Sequence, residues 1–227
     1  MRAPRLADIR RGDRYLAVNT TILASLALFA SACDDPESIA AAFTADDAAG
    51  AISPSGFYIA EVTTDGPGCP APGSVQVTLS ADRTRIQILY DDMQLQREPG
   101  VAVQTTHCTA ALSLHIPPGW RVAPANLRTR GHTILDQGMT ARRATDLAFV
   151  GIAGGPGFTS DFKGPLNNVY QVEDLVTPGV ASWSSCGGPA TLAIRNGLTL
   201  DAAGAPPGGA LFTLHDQRLV SWQFKKC

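Results

Sequence analysis

Apolar and polar residues alternate with a period of two along most of the chain after Phe57. Val75, Val77 and Leu79 alternate with Gln76, Thr78 and Ser80. Beyond a turn at Ala81, Asp82 and Arg83, the residues Ile86, Ile88 and Tyr90 alternate with Arg85 and Gln87. Successive side chains of a strand point to opposite faces, so this stretch reads as a β-hairpin with one wet face. From Thr106 to Ile116 the pattern sharpens: Cys108, Ala110, Leu112, Leu114 and Ile116 share one face, and His107, Thr109, Ser113 and His115 share the other. The alternation turns Cys108 toward the core. Further strands are expected over 57–63, 120–124, 129–136, 145–152, 168–176, 190–195, 197–201, 210–215 and 218–225. Pro117-Pro118-Gly119, Gly154-Gly155-Pro156-Gly157, Pro178-Gly179 and Pro206-Pro207-Gly208-Gly209 punctuate them. No helical stripe of useful length interrupts the series, so the expected fold is all-β, an antiparallel β-sandwich.

The first 33 residues follow a different rule. Arg2, Arg5, Arg10, Arg11 and Arg14 precede an apolar run from Thr20 to Ala32, too short for the roughly 20 residues a membrane-spanning helix needs. Residues 1–32 therefore read as a signal peptide. Ala30-Ser31-Ala32-Cys33 fits either of two cuts. Cleavage after Ala32 by the ordinary signal peptidase leaves a freely secreted chain, whereas use of the same residues as a lipobox makes Cys33 a lipid-modified first residue. The lipobox reading is the favoured one, with Ala30 standing where Leu is usual. Residues 33–55, which carry Asp34, Asp35, Glu37, Asp46 and Asp47 among small residues, read as an acidic flexible tether. Residues 56–227 form the expected sandwich domain, long enough for one core. Its acidic and basic residues nearly cancel, which removes the electrostatic footprint of a nucleic-acid binder.

Cysteine count adds the cross-links. There are five, Cys33, Cys69, Cys108, Cys186 and Cys227. Lipidation of Cys33 provides a fate for the odd one. The other four lie at wide spacing without a metal-knuckle pair, and an oxidising compartment makes two disulfides the default over a zinc site. Three connectivities exist. Pairing neighbours in sequence gives Cys69 with Cys108 and Cys186 with Cys227, each closing a loop worth roughly 3 to 4 kcal/mol in the chain-entropy model. Cys69 sits inside the Gly/Pro-rich turn from Thr64 to Ser74, where a cross-link fixes a long loop to a sheet.

A family resemblance follows from these marks. Gly68-Cys69-Pro70, Gly73-Ser74-Val75, Asp82-Arg83-Thr84, Cys108 in a strand, Pro118-Gly119-Trp120 and Arg130-Gly131 are followed by Phe162-Lys163-Gly164-Pro165, Trp183-Ser184-Ser185-Cys186-Gly187 and Trp222-Gln223-Phe224-Lys225-Lys226-Cys227. In this order, over 57–227, the chain resembles domain of unknown function 4360, small secreted proteins that are mostly fungal and in part bacterial. The resemblance implies a secreted β-sandwich and the four-cysteine framework, and it brings no activity with it, since the family's name says that none is established. The lipobox, the acidic tether and the Gly/Pro loop at 204–209 depart from the family's pattern.

Candidate chemistry is sparse. His107 and His115 stand eight residues apart on one expected strand, too far to share a metal, His132 and His215 fall on two others, and Ser184 and Ser185 lie in no nucleophile elbow. No cofactor and no metal is expected. Trp183 and Trp222 stand close before Cys186 and Cys227, where an indole packs on a buried disulfide. Trp120, beside Arg121, is the candidate for a ring that stacks on a sugar, and Arg121, Arg128, Arg130, Arg142 and Arg143 are candidates for a basic patch suited to acidic glycans. The expected ligand surface is Trp120, Arg121, Arg128 and Arg130. Two functions are expected from this. One is an extracytoplasmic, non-catalytic binding module for envelope glycan or protein, held to the membrane through its N-terminal lipid. The other is a secreted hydrolase using carboxylates such as Asp161 or Asp174, which demands a cleft with two carboxyls within about 10 Å.

Overall fold

The computed structural model describes residues 53–177, 181–219 and 221–227. The expected signal peptide, Cys33 and nearly all of the tether lie outside the described residues. The described residues contain strands and no helix. In chain order the strands are β1 (Tyr58–Asp65), β2 (Val75–Leu79), β3 (Ile86–Tyr90), β4 (Gln94–Gln96), β5 (Val103–Ile116), β6 (Trp120–Pro124) and β7 (Asn126–Leu135). They continue as β8 (Thr140–Phe149), β9 (Gly157–Lys163), β10 (Leu166–Leu175), β11 (Gly188–Asp201), β12 (Ala210–Thr213), β13 (Asp216–Leu219) and β14 (Trp222–Lys226).

Two antiparallel sheets face each other. Sheet one runs β1-β5-β11-β8-β9. Sheet two runs β2-β3-β13-β7-β12-β4, and β10 pairs along the other side of β7. A two-stranded ribbon, β6 with β14, continues beyond them. The core between the sheets is filled from both inner faces, by Leu112, Leu114, Ile116, Ile194, Leu198 and Leu200 from sheet one and by Ile86, Ile88, Leu127, Leu135, Phe212 and Leu219 from sheet two. Burying each such side chain stabilises the fold by about 1.5 to 3 kcal/mol. The hairpin expected from residues 75–90 forms with Val75 opposite Tyr90 and Leu79 opposite Ile86.

β12 and β13 both pair with one side of β7. Phe212 lies opposite Thr133 and Asp216 opposite Arg130, four steps on one strand against three on the other, which marks a β-bulge. Tyr170 donates its hydroxyl to the Thr213 carbonyl at 2.7 Å, and its ring lies where a side chain at position 131 would stand. Gly131 is required there because a Cβ would strike both the Thr213 carbonyl and the Tyr170 ring.

Both disulfides form, Cys69–Cys108 and Cys186–Cys227. The first is buried and joins the Gly/Pro turn to β5, with the Gly68 amide donating to the His107 carbonyl at 2.8 Å. The second lies at the surface: Cys186 and Cys227 are both exposed. This corrects the expectation of two tryptophans on a buried disulfide. Trp222 is buried against Phe57, edge to face at 5.5 Å, and Trp183 is half-buried. Some strand limits also differ from expectation. β11 is one strand across Asn196, where two were expected, because that amide finds partners inside the core. β8 starts at Thr140, and β9 follows the Gly/Pro turn that the alternation alone left without a strand.

Candidate functional site

Strand parity divides the arginines among different surroundings. On β7 the inward residues are Leu127, Thr129, Thr133 and Leu135, so Arg128, Arg130 and His132 face outward from sheet two. On β13, Asp216 and Arg218 share that outer face while Gln217 and Leu219 turn inward. Register places Arg218 directly opposite Arg128, with Glu173 of β10 on the other side. It also places Asp216 opposite Arg130, with Gln171 beyond. Like charges directly across a ladder repel. Carboxylates offset this repulsion: Glu173 lies 3.8 Å from Arg128, and Asp216 lies 3.5 Å from Arg218 and 3.9 Å from Arg130. His132 bonds the Asn167 side chain at 3.2 Å on the same face, and His215 bonds Thr213 at 2.9 Å beside it. Exposed Leu89 and Val169 flank the charged rows. The result is a sheet face lined by planar groups that both donate and accept hydrogen bonds, next to apolar patches. Such a face offers both donors and acceptors for hydrogen bonds.

The expected ligand surface divides here. Arg128 and Arg130 lie together on the outer face of sheet two, whereas Trp120 and Arg121 belong to the end ribbon. Trp120 is half-buried, and the Lys226 ammonium lies over its ring, 5.1 Å from the centroid. Arg121 points to the other side of β6, opposite Lys225. The wider basic patch is corrected in two places. Arg142 faces outward from sheet one, and Arg143 is fully buried between the sheets.

The two carboxylates considered for hydrolysis are separated in the same way. Asp161 sits on the outer face of sheet one, bound by Arg142 Nε at 2.6 Å and Nη2 at 3.3 Å. The Arg142 hydrogen bond holds its carboxyl below the usual carboxylate range, and Arg142 is shifted up in return. Asp174 points into the core, where burial pushes its carboxyl up while Arg143 draws it back down. One carboxylate meets solvent and the other meets the core, so they do not face a common cleft.

Arg143 opens a buried polar seam that the sequence reading missed. Its guanidinium donates to Thr145 at 2.9 Å, Ser160 at 3.0 Å and Asp174 at 3.0 Å. Thr145 donates to Asn196 at 2.7 Å, and the Asn196 amide donates to Tyr90 and to Gln217, both at 2.8 Å. Gln217 donates back to Asn196 at 2.8 Å, and the Tyr90 hydroxyl donates to Gln217 at 2.8 Å. Burial pushes the Tyr90 and Tyr170 phenols well above their ordinary range. The seam runs from sheet one to sheet two and holds them in one relative position. A separate open groove of about 430 Å³ lies at the end of β8, with Asp146, Val150, Ile152 and Arg195 in its walls. Among the described residues, no group of three or more His, Cys, Asp or Glu side chains is placed to hold a metal ion.

The sequence profile of the family described as Domain of unknown function (DUF4360) matches residues 55–227. A protein from Arthroderma benhamiae named "Uncharacterized secreted protein" is 28% identical over 163 residues, which cover 71% of this chain. The same alignment covers 66% of that relative, just under two thirds of its length. Among solved structures, TmCBM61 in complex with β-1,4-galactotriose aligns at a TM-score of 0.26 and 9% identity, over 74% of this chain and 90% of the other. The enzymatically active domain of bacteriophage CBA120 tailspike protein 4 aligns at a TM-score of 0.23 and 15% identity, over 70% of this chain and 19% of the other.

Proposed function

We propose, for a chain that belongs to the family described as Domain of unknown function (DUF4360), an extracytoplasmic binding module whose ligand is a glycan taken up on the outer face of sheet two. The observation that carries this reading is the outward row of Arg128, Arg130, Arg218, Asp216 and His132 beside exposed apolar side chains. Guanidinium, carboxylate and imidazole groups on one level surface match vicinal hydroxyls, and the apolar neighbours match the C–H faces of a sugar ring. Two disulfides support an oxidising compartment. The name of the fungal relative, a secreted protein, points the same way.

The N-terminal part of the proposal is a signal peptide over 1–32, lipidation of Cys33 and a tether that holds the sandwich off a membrane surface. It is supported by Ala30-Ser31-Ala32-Cys33 and by the use of the other four cysteines in the two bridges. Globomycin treatment of the host then leaves an unprocessed precursor. Normal maturation in its presence assigns the chain to free secretion instead.

The binding reading is tested by retention of the exported protein on host envelope fractions and a panel of insoluble polysaccharides. Retention is expected on at least one, and Arg128→Ala and Arg130→Ala each weaken it about tenfold, the effect of losing one charge-assisted hydrogen bond. Failure of the parent protein to bind any of them, or wild-type retention by both variants, overturns the assignment.

A further inference from the structure

The edges of the two sheets differ in how they are protected. β1 carries a register irregularity between Ile59 and Glu61, with a charge at the bulge. β2 and β4 are only five and three residues long, and β9 carries Asp161 and Lys163. Bulges, shortness and charge are the usual means of stopping an open edge from pairing with another chain. β10 is neither short nor bulged, and its two charges, Glu173 and Asp174, are each paired with an arginine of its own chain. It runs ten residues, Leu166–Leu175, in unbroken register with β7, and contains no proline, lysine or bulge. Two of its side chains, Val169 at 63% and Leu175 at 62%, are among the most exposed large apolar groups described. Among the described residues, no strand pairs with its outer edge.

The hydrogen-bonding groups on that edge can be assigned. The Val176 amide donates to the Ala125 carbonyl at 3.0 Å, extending the ladder with β7 by one pair. Antiparallel ladders direct both main-chain groups of alternate residues to the same side. The even-numbered residues of β10 therefore serve β7. The amides and carbonyls of Asn167, Val169, Gln171, Glu173 and Leu175 point away from the sandwich.

We propose that β10 is a dimerisation edge that pairs antiparallel with β10 of a second copy of this chain, about a two-fold axis at Val172. A two-fold pairing must oppose residues of the same parity, which leaves few registers. Centring on Gln171 sets Val169 against Glu173, and centring on Tyr170 sets Val169 against Gln171. Centring on Val172 sets Val169 against Leu175 of the second copy and Gln171 against Glu173, twice each by symmetry. The two exposed apolar side chains then lie side by side on the outer face, the one charge on the outward-facing side meets an amide rather than its own kind, and every opposed odd-numbered pair exchanges two main-chain hydrogen bonds. This self-complementarity is why a second copy, rather than a foreign strand, is the occupant. The dimer joins the outer faces of the two copies of sheet two into one surface, so a polymer that binds one face meets a second at high effective concentration.

Light scattering coupled to size exclusion, over a dilution series of the purified oxidised protein, tests the proposal. A mass twice that of the chain is expected. Gln171→Pro removes an outward amide without touching the bonds to β7, and Val169→Lys places an ammonium opposite Leu175, so both are expected to run as monomers. Urea unfolding of each variant shows whether the fold survives, and should Gln171→Pro unfold, Val169→Lys alone decides. A monomeric parent at every concentration overturns the proposal, as it would if another segment of the same chain covered β10. A dimer that persists in folded Val169→Lys overturns it too.

Discussion

Arg142 and Arg143 are neighbours on β8, yet one is bonded to a carboxylate in water and the other to a carboxylate between the sheets. Arg142–Asp161 spans β8 and β9 on the outer face of sheet one with both side chains more than half exposed. Arg143–Asp174 crosses from sheet one to sheet two with the arginine fully buried. A single step along a strand exchanges one face for the other, so residue type alone does not determine what an ion pair does. The outer pair gains little from attraction across solvent. The inner pair has lost its hydration and depends on Thr145, Ser160 and each partner's charge to offset that loss.

The largest effect expected from this contrast comes from removing one inner partner. Arg143→Met leaves Asp174 buried without its cation and costs about 3 to 5 kcal/mol of unfolding free energy. Urea unfolding at neutral pH checks this. Replacing both partners, Arg143→Met with Asp174→Leu, recovers most of the loss, because the cost lies in the stranded charge. Equal losses in the single and double variants would break the comparison.

The two disulfides divide along the same line. Cys69–Cys108 is buried in the core and Cys186–Cys227 is exposed on the end ribbon. They close loops of similar length, with sequence separations of 39 and 41 residues. The chain-entropy model therefore assigns each about 4 kcal/mol. Access is what separates them, since exchange needs an attacking thiolate to reach the sulfur. Limited treatment with a small thiol, followed by alkylation and peptide mapping, is expected to label Cys186 and Cys227 well before Cys69 and Cys108. Simultaneous labelling would show that the sandwich opens as a whole before either bridge is attacked.

Much of this inside-outside division is legible as alternation, and the structure departs from expectation where the expected strands cut the alternation short. Cys108 is expected inward because Ala110, Leu112, Leu114 and Ile116 share its parity, and it is buried. Arg143 and Thr145 share the parity of Ala141, Leu147 and Phe149, but a strand expected only from residue 145 leaves Arg143 outside the pattern and in a surface patch. Asn196 interrupts an apolar series and so reads as a boundary, although it keeps the inward parity of Ile194 and Leu198. The seam itself is not readable, because Tyr90, Thr145, Asn196 and Gln217 come from four strands, β3, β8, β11 and β13. The ligand surface divided for the same reason. Trp120 and Arg121 are close to Arg128 and Arg130 along the chain but lie on the ribbon beyond sheet two.

A smaller effect concerns acid. Burial raises the Asp174 carboxyl above its ordinary value even against the pull of Arg143. The native state therefore holds that proton more tightly than the unfolded chain does. Ionised Asp174 weighs against the fold at pH values above the raised one. That cost is relieved as the pH falls through it toward the unfolded value of about 3.9. Asp174→Asn lacks this dependence. Measured by urea midpoints from neutral to acid pH, the stability of the parent relative to Asp174→Asn is expected to rise as the pH falls. A constant difference across that range would mean that the carboxyl keeps its charge on both sides of unfolding.

The smallest effect belongs to the outer pair and has the opposite sign with pH. Hydrogen bonding to Arg142 lowers the Asp161 carboxyl, so whatever stability the pair contributes is present above the unfolded value and is lost as the pH falls through the lowered one. Both side chains are more than half exposed, and salt screens what remains of their attraction. Arg142→Ala and Asp161→Asn are therefore expected to leave the unfolding midpoint within experimental error, and added salt to leave parent and variants alike. The two strands stay joined through seven paired positions from Thr140 with Lys163 to Asp146 with Gly157, independently of this side-chain pair. A clear loss in either variant would mean that the outer arginine, like its inner neighbour, holds strands together, and that exposure is not what sets the two apart.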